Sequence, residues 1–240
     1  MNKLLAIFLL CTSLGATAQT NKVYNDPKAK ERVLKSDFSA ISVSSGIQLL
    51  LTQSDQVALA VSASEERIEA GIKTEVVKGV LKIYYDVGGM GYRNQKNRKL
   101  IVYLSVKDIQ SIKSSGGAIT RLLNPFKLDD LSIECSGGSL LAGTIEVASL
   151  QVTASSGAQI TLDGTAGNVE VSANSGAIFK GGSLQAQTCT AQANSGASLI
   201  IAVEKEMTAF AKSGASISYK GNATLNKSSV NSGAVVKKVK

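Results

Sequence analysis

The sequence predicts an all-β protein: a parallel β-helix, or β-solenoid, with coils of about 20 residues, preceded by a β-rich N-terminal half that shares its core. Three observations predict it. The first is a repeated phrase: Ser114-Ser115-Gly116-Gly117, Cys135-Ser136-Gly137-Gly138, Ser155-Ser156-Gly157-Ala158 and Asn174-Ser175-Gly176-Ala177. It continues as Asn194-Ser195-Gly196-Ala197, Lys212-Ser213-Gly214-Ala215 and Asn231-Ser232-Gly233-Ala234, with successive glycines 21, 20, 19, 20, 18 and 19 residues apart from Gly116. The second is alternation of period two around each glycine, as in Leu150, Val152 and Ala154 against Gln151, Thr153 and Ser155. That alternation marks strands with one buried face. The third is that the residue three after each glycine is always apolar: Ile119, Leu140, Ile160, Phe179, Leu199, Ile217 and Val236. These seven are expected to stack as an internal column.

Corner chemistry follows from sterics. Glycine accepts a positive φ where a β-carbon would clash, so Gly116, Gly137, Gly157, Gly176, Gly196, Gly214 and Gly233 are assigned as structural corners. The serine before each glycine falls in the apolar phase and is expected to point inward, paired with its neighbour in the next coil. A flexible Gly/Ser linker would lack an apolar column in fixed phase.

Taken in order, residues 1–18 read as a signal peptide. Lys3 is the positive region, Leu4 to Leu10 the apolar region and Ala16-Thr17-Ala18 the cleavage site. Cys11 lies too early, and follows Leu9 and Leu10, for a lipid-attachment site. Residues 19–37 are polar, broken by Asp26-Pro27, and are expected to be an exposed arm or linker. Residues 38–108 form the β-rich half, with strands expected at 38–43, 47–52, 57–63, 72–77, 80–85 and 100–106. One helical turn from Glu65 to Ala70 carries capping-box spacing at Ser62 and Glu65, with Gly71 placed to stop it. Lys78-Gly79 has hairpin-turn character. Ser44-Ser45-Gly46-Ile47 repeats the corner phrase, so Gly46 joins the corner glycines and this half joins the stack. Residues 109–236 are the solenoid repeats and 237–240 a basic tail. The load of Val230, Val235, Val236 and Val239 at that end favours burial against a second copy, a homo-oligomer, over an open end kept soluble by Lys237, Lys238 and Lys240. No segment after the signal is apolar for long enough to cross a bilayer.

Composition excludes several chemistries. There is no histidine, which removes Ser-His nucleophiles, histidine metal ligands and a histidine base. Glycoside hydrolysis needs two carboxylates across a cleft, and the solenoid's acids share no corner offset; the adjacent Asp129 and Asp130 are expected on opposite strand faces. Calcium-binding β-rolls stack aspartates at a corner position held here by Ile119, Leu140, Gln159, Ile178, Ser198, Ser216 and Val235. No catalytic residue, cofactor or metal site is assigned. The net charge of +8 is spread evenly, with 14 cations against 10 anions in residues 19–110 and 11 against 8 in 111–240. That is not the focused stripe of a nucleic-acid binder. The residues singled out for contact with an anionic surface are Arg93, Lys96, Arg98 and Lys99, in a Gly-rich loop at 86–99. Cys135 and Cys189 are three coils apart, about 14 Å at strand spacing, too far for a disulfide; both are expected as free core thiols.

Ser45-Gly46-Ile47-Gln48, Gln53-Ser54-Asp55, Ile72-Lys73-Thr74-Glu75-Val76 and Gly79-Val80-Leu81-Lys82-Ile83-Tyr84, with the Ser-Gly-Ala corners, resemble the head GIN domain of putative autotransporter adhesins. The resemblance covers roughly residues 38–236. It implies an all-β solenoid, export in Bacteroidetes-like bacteria and a role in adhesion. The corners here lack the second glycine and the aspartate of many family corners, and no residues remain for a membrane barrel. The resemblance carries no site residue. The functional expectation is an exported, non-catalytic cell-envelope or surface protein, a binding or adhesion module for a surface ligand, glycan or protein. The alternatives are a self-associating structural envelope protein and, behind it, a carbohydrate-active β-helix enzyme.

Overall fold

The computed structural model describes residues 24–86 and 98–240. In chain order its elements are β1 (Lys30–Arg32), β2 (Ala40–Val43), β3 (Gln48–Gln53), β4 (Ala58–Ala63), α1 (Glu66–Gly71), β5 (Ile72–Val77), β6 (Val80–Tyr85) and β7 (Leu100–Val106). There follow β8 (Ser111–Ser114), β9 (Ile119–Leu122), β10 (Phe126–Cys135), β11 (Leu140–Ala154), β12 (Gln159–Ala173), β13 (Ile178–Asn194) and β14 (Ser198–Lys212). The last are β15 (Ser216–Lys220), β16 (Thr224–Val230) and β17 (Val235–Lys238). The chain is a β-solenoid. Each coil pairs in parallel with the next, β10 with β11, β11 with β12, β12 with β13 and β13 with β14, and the final coil of β16 and β17 pairs on β14 and β15.

The N-terminal half enters this stack out of sequence order. β2 pairs in parallel with both β6 and β8, and β3 with both β7 and β9. The coil of β2 and β3 therefore lies between the β6/β7 layer and the first repeat. Antiparallel strands close that end: β5 on β6, β4 on β7, and β1 on β4. One apolar core runs through both halves, from Ile41 and Leu49 to Phe179, Leu199 and Ile217, all essentially inaccessible.

The corners are tight turns in which two consecutive residues have positive φ. In the Ser-Gly-Ala corners these are the serine and the glycine: Ser156 at 52° and Gly157 at 72°, Ser175 at 52° and Gly176 at 70°. The N–H of the residue after the glycine closes each turn, as from Ala158 to the Ser155 carbonyl at 3.1 Å. Two adjacent positive φ values are the signature of the type I′ turn. In the first two repeats both places are glycine, Gly116 (55°) with Gly117 (73°) and Gly137 (58°) with Gly138 (71°).

This geometry corrects the expected register by one residue there. Cys135 stands opposite Ala154 and Ser114, so Gly117 and Gly138, not Gly116 and Gly137, stack with Gly157. The internal column then runs Thr120, Leu141, Ile160, Phe179, Leu199 and Ile217, each buried. Ile119 and Leu140 lie in the outward column, and Leu140 is 41% exposed. Thr120 is inward because its hydroxyl can donate to Ser114 Oγ at 3.4 Å, while Ser139 Oγ donates to the Ser114 carbonyl at 2.8 Å. The corner serines do not point inward either: Ser156, Ser175, Ser195, Ser213 and Ser232 are exposed. A residue at positive φ leaves the pleat, so the strict alternation is interrupted at the turn itself.

Three further expectations change. Residues 24–32 are docked, not a free arm. Tyr24 packs on Tyr103 with ring centres 5.3 Å apart, Tyr103 Oη donates to Asp26 Oδ2 at 3.1 Å, and β1 pairs with β4. Helix α1 has no capping box: its N-cap Glu65 makes no side-chain capping hydrogen bond, and Ser62 is buried on β4, where its hydrogen bond is the main cause holding the Asp26 carboxyl below its usual range. Gly71 ends α1 without a positive φ. A β-carbon there would come within 2.6 Å of the Tyr85 ring, so close packing, not turn geometry, requires glycine. Asp129 and Asp130 are both exposed, and Asp129 falls where the β10–β11 pairing omits a residue, between Leu128 opposite Val147 and Asp130 opposite Ser149. The signal-peptide assignment, residues 1–18, falls outside the described residues, as do Arg93 and Lys96.

Candidate functional site

Parallel stacking turns each outward position of the repeat into a ladder of side chains at strand spacing, about 4.8 Å. The strands leading into the corners carry four such ladders. In register across β10 to β14 they begin Asp130, Ser149, Asn168, Thr188, Glu206; then Ser132, Gln151, Glu170, Thr190, Thr208. The next is Glu134, Thr153, Ser172, Gln192, Phe210, and beside the corner Asn174 and Asn194 continue into Lys212. The result is a grid made mostly of hydroxyl and amide groups, with the carboxylates of Asp130, Glu134, Glu170 and Glu206 among them, on a hydrogen-bonded parallel sheet.

Two shallow depressions lie in this grid. One of about 620 Å³ is lined by Gln151, Asn168, Glu170, Thr188, Glu206 and Asn226. There Thr188 Oγ1 donates to Asn168 Oδ1 at 2.8 Å, and Asn226 Nδ2 donates to Glu206 Oε2 at 3.1 Å. The other, about 460 Å³, is lined by Ser172, Asn174, Gln192, Asn194, Phe210 and Lys212. Asn194 Oδ1 is buried in that region without a hydrogen-bond partner. The neighbours can both donate and accept, which suits a hydroxyl-rich or peptide-like ligand better than an apolar one.

The opposite face, built from the strands that leave the corners, is mixed. Its outward positions include Ile119, Leu140 and Ile178 beside Arg121, Thr161 and Lys180. A separate cleft of about 870 Å³ lies at the capped end, where Val33, Leu34, Phe38, Val57, Leu59 and Val106 meet charges of both signs, Arg32, Lys35 and Lys107 with Glu31, Asp37 and Asp108.

The assigned corner glycines take these places. Gly46, Gly157, Gly176, Gly196, Gly214 and Gly233 occupy the second turn position at φ of 70–72°, and Gly116 and Gly137 the first at 55° and 58°. Gly46, Gly157, Gly176, Gly196, Gly214 and Gly233 form one structural column with Gly117 and Gly138, and Gly116 and Gly137 stand one position before it. Of the cations singled out for an anionic surface, Lys99 is exposed. Arg98 is held by its own fold, with its guanidinium 4.5 Å from the centre of the Tyr85 ring. Among the described residues no three His, Cys, Asp or Glu side chains are grouped so as to hold a metal ion. No described helix is long and apolar enough to cross a membrane. The two cysteines are buried and unpaired, and burial pushes each thiol up to about 12. A thiol so desolvated is not a nucleophile. Sequence reasoning found the polar phase but missed Phe210, four residues before Gly214 and so at an outward offset.

The model for "Putative auto-transporter adhesin, head GIN domain" matches residues 37–223. Among solved structures, a putative adhesin from Bacteroides fragilis aligns with a TM-score of 0.77 at 20% identity, over 88% of this chain and 96% of that one. A putative lipid binding protein from Parabacteroides distasonis gives 0.69 at 20% identity, over 88% and 96%. A putative adhesin from Parabacteroides merdae gives 0.69 at 18% identity, over 90% and 98%. At these identities the likeness is one of fold. Among curated proteins nothing matches.

Proposed function

The chain belongs to the family of the head GIN domain of putative auto-transporter adhesins, and from that premise we propose that it is an exported, non-catalytic surface or cell-envelope module that binds through its polar ladder face. The observation that carries this reading is the register of the face. Four outward columns keep polar side chains, most of them hydroxyl or amide, aligned over several coils. Adhesins hold extended ligands through many weak polar contacts, and a rigid grid minimises the ordering cost of each. Burial keeps the Cys135 and Cys189 thiols protonated, which weighs against a cysteine nucleophile.

The test is saturable retention of the purified protein on glycan-coated and protein-coated surfaces. Thr190→Arg, which puts a long cation into the middle of the grid, is expected to lower retention at least tenfold, while Thr161→Arg on the opposite face leaves it unchanged. No retention on any surface, or equal loss with both variants, removes the reading.

A second reading is favoured by the 870 Å³ cleft. Its apolar residues, flanked by charges of both signs, fit an amphipathic ligand, and one structural relative is described as a putative lipid binding protein. Displacement of a fluorescent fatty acid by unlabelled lipid, lost in Phe38→Asp, would support it.

A further inference from the structure

Phe210 breaks the chemistry of its own ladder. The equivalent outward positions are Lys113, Glu134, Thr153, Ser172, Gln192 and, one coil on, Ser229. Six coils place a polar side chain there and one places an aromatic ring. The ring is half-buried. It lines a depression and stands apart from the internal core.

Its surroundings are specific. The coil before it offers Thr190, Gln192 and Asn194; its own strand flanks it with Thr208 and Lys212; the coil after it brings Lys227, Ser229 and Asn231. All eight neighbours are polar, two are cationic, and none is a carboxylate. Lys227 Nζ stands 5.5 Å from the ring centre, within cation–π range. Neither Lys212 nor Lys227 has a carboxylate partner among the ion pairs of the described residues. Asn194 Oδ1 is buried with no hydrogen-bond partner among the described residues, and Asn194 lines the same depression.

An aromatic ring, amides around it and two ammonium groups without carboxylate partners among the described ion pairs are together complementary to one class of ligand. A pyranose ring presents a face of C–H groups that packs on an aromatic ring, and an edge of hydroxyls that exchange hydrogen bonds with amides. A carboxylate or sulfate on that sugar would answer the two lysines. An apolar ligand would leave the amides unpaired, and a cationic or neutral one would leave the lysines unanswered.

We propose that Phe210, with Asn194, Lys212 and Lys227, forms a subsite for an acidic saccharide unit. This rests on the reading of the polar face as the binding face and names its ligand class. Neighbouring ladders of Gln192, Ser172 and Thr190 continue the site towards the middle of the solenoid, so the saccharide would be a chain laid across coils.

The test uses oligogalacturonates as the acidic probe and dextran oligomers as the neutral one, measured by calorimetry on the full chain. Galacturonate binding is expected, with affinity falling at least tenfold in Phe210→Ala and about threefold or more in Lys212→Ala and Lys227→Ala, and rising salt weakening it. Phe210→Tyr keeps the platform and is expected to bind within about twofold of the wild type. Circular dichroism and thermal unfolding of each variant separate lost binding from lost fold. Equal affinity for dextran, or unchanged galacturonate affinity in Phe210→Ala, overturns the subsite. Retention on protein-coated surfaces without saccharide binding overturns it too, while leaving the polar face as the binding face. Absence of every kind of retention overturns both.

Discussion

The Gly176 N–H donates to the carbonyl of Ser195, one coil on, at 3.0 Å. The same bond recurs at every corner step, from Gly46 to Gly116, Gly117 to Gly137, Gly138 to Ser156, Gly157 to Ser175, Gly196 to Ser213 and Gly214 to Ser232, at 3.0–3.1 Å. The turns are thus tied into a ladder of their own. Nothing lies within 4 Å of where a β-carbon on Gly176 would stand, and its φ is +70°. Gly176→Val is therefore expected to destabilise through backbone strain alone, by about 1–3 kcal/mol. Ser175→Gly, which copies the natural Gly-Gly corners, should stay within about 1 kcal/mol. Chemical unfolding of both variants checks this, and equal effects would contradict it.

The corrected register makes adjacent leucines differ sharply. Leu140 faces out and Leu141 is 1% exposed. Leu141→Ala is expected to cost about 2–5 kcal/mol by leaving a cavity, and Leu140→Ala less than about 1 kcal/mol. Denaturant midpoints decide it. A larger loss at Leu140 would restore the register that Gly116 and Gly137 suggest.

That register shows where the sequence was legible and where it was not. The solenoid could be read because a period of about 20 with one apolar phase has few other physical solutions. The one-residue slip arose because Gly116 and Gly137 occupy the place serine takes elsewhere; both residue types tolerate that position, so spacing alone cannot align them. The inward serines failed for a related reason, since alternation says nothing about residues in a left-handed turn. The docking of residues 24–32 depends on Tyr24, Asp26 and Arg32 meeting partners 37–79 positions away, such as Glu69 and Tyr103, which no local pattern announces. Phe210 was visible in phase, but its significance lies in the two coils that flank it.

Cys135 and Cys189 lie in different columns. Cys135 stacks on Ser114 and Ala154, and Cys189 on Val169 and Met207. Neither is expected to react with a thiol reagent in the folded protein, since burial pushes both to about 12. Both should react on unfolding without any reductant, with peptide mapping to identify the labelled sites. Labelling that requires reductant would mean a disulfide and a different stack.

Acid should loosen the capped end. Glu69 accepts from Lys30 at 2.9 Å and Arg32 at 2.8 Å. Burial pushes its carboxyl up, but the hydrogen bonds and charges of those two residues outweigh it and hold it below its ordinary value of 4.5. A depressed carboxyl contributes stability that is complete above the unfolded value and lost as pH falls through the folded one. Glu69→Gln is accordingly expected to destabilise at pH 7, with the gap to wild type closing below about pH 4.5. A gap that is constant between pH 7 and pH 3 would contradict the ion pairs' role.

The polar ladder face as the binding surface is tested most directly by blocking one face at a time. The buried native thiols stay inert, so a cysteine placed at Ser172 or at Thr161 can be coupled selectively to a bulky polymer and retention on ligand-coated surfaces measured for each. Blocking Ser172→Cys is predicted to abolish retention, and blocking Thr161→Cys on the opposite face to leave it at the unmodified level. Full retention with Ser172 blocked, or loss only when Thr161 is blocked, would contradict the account.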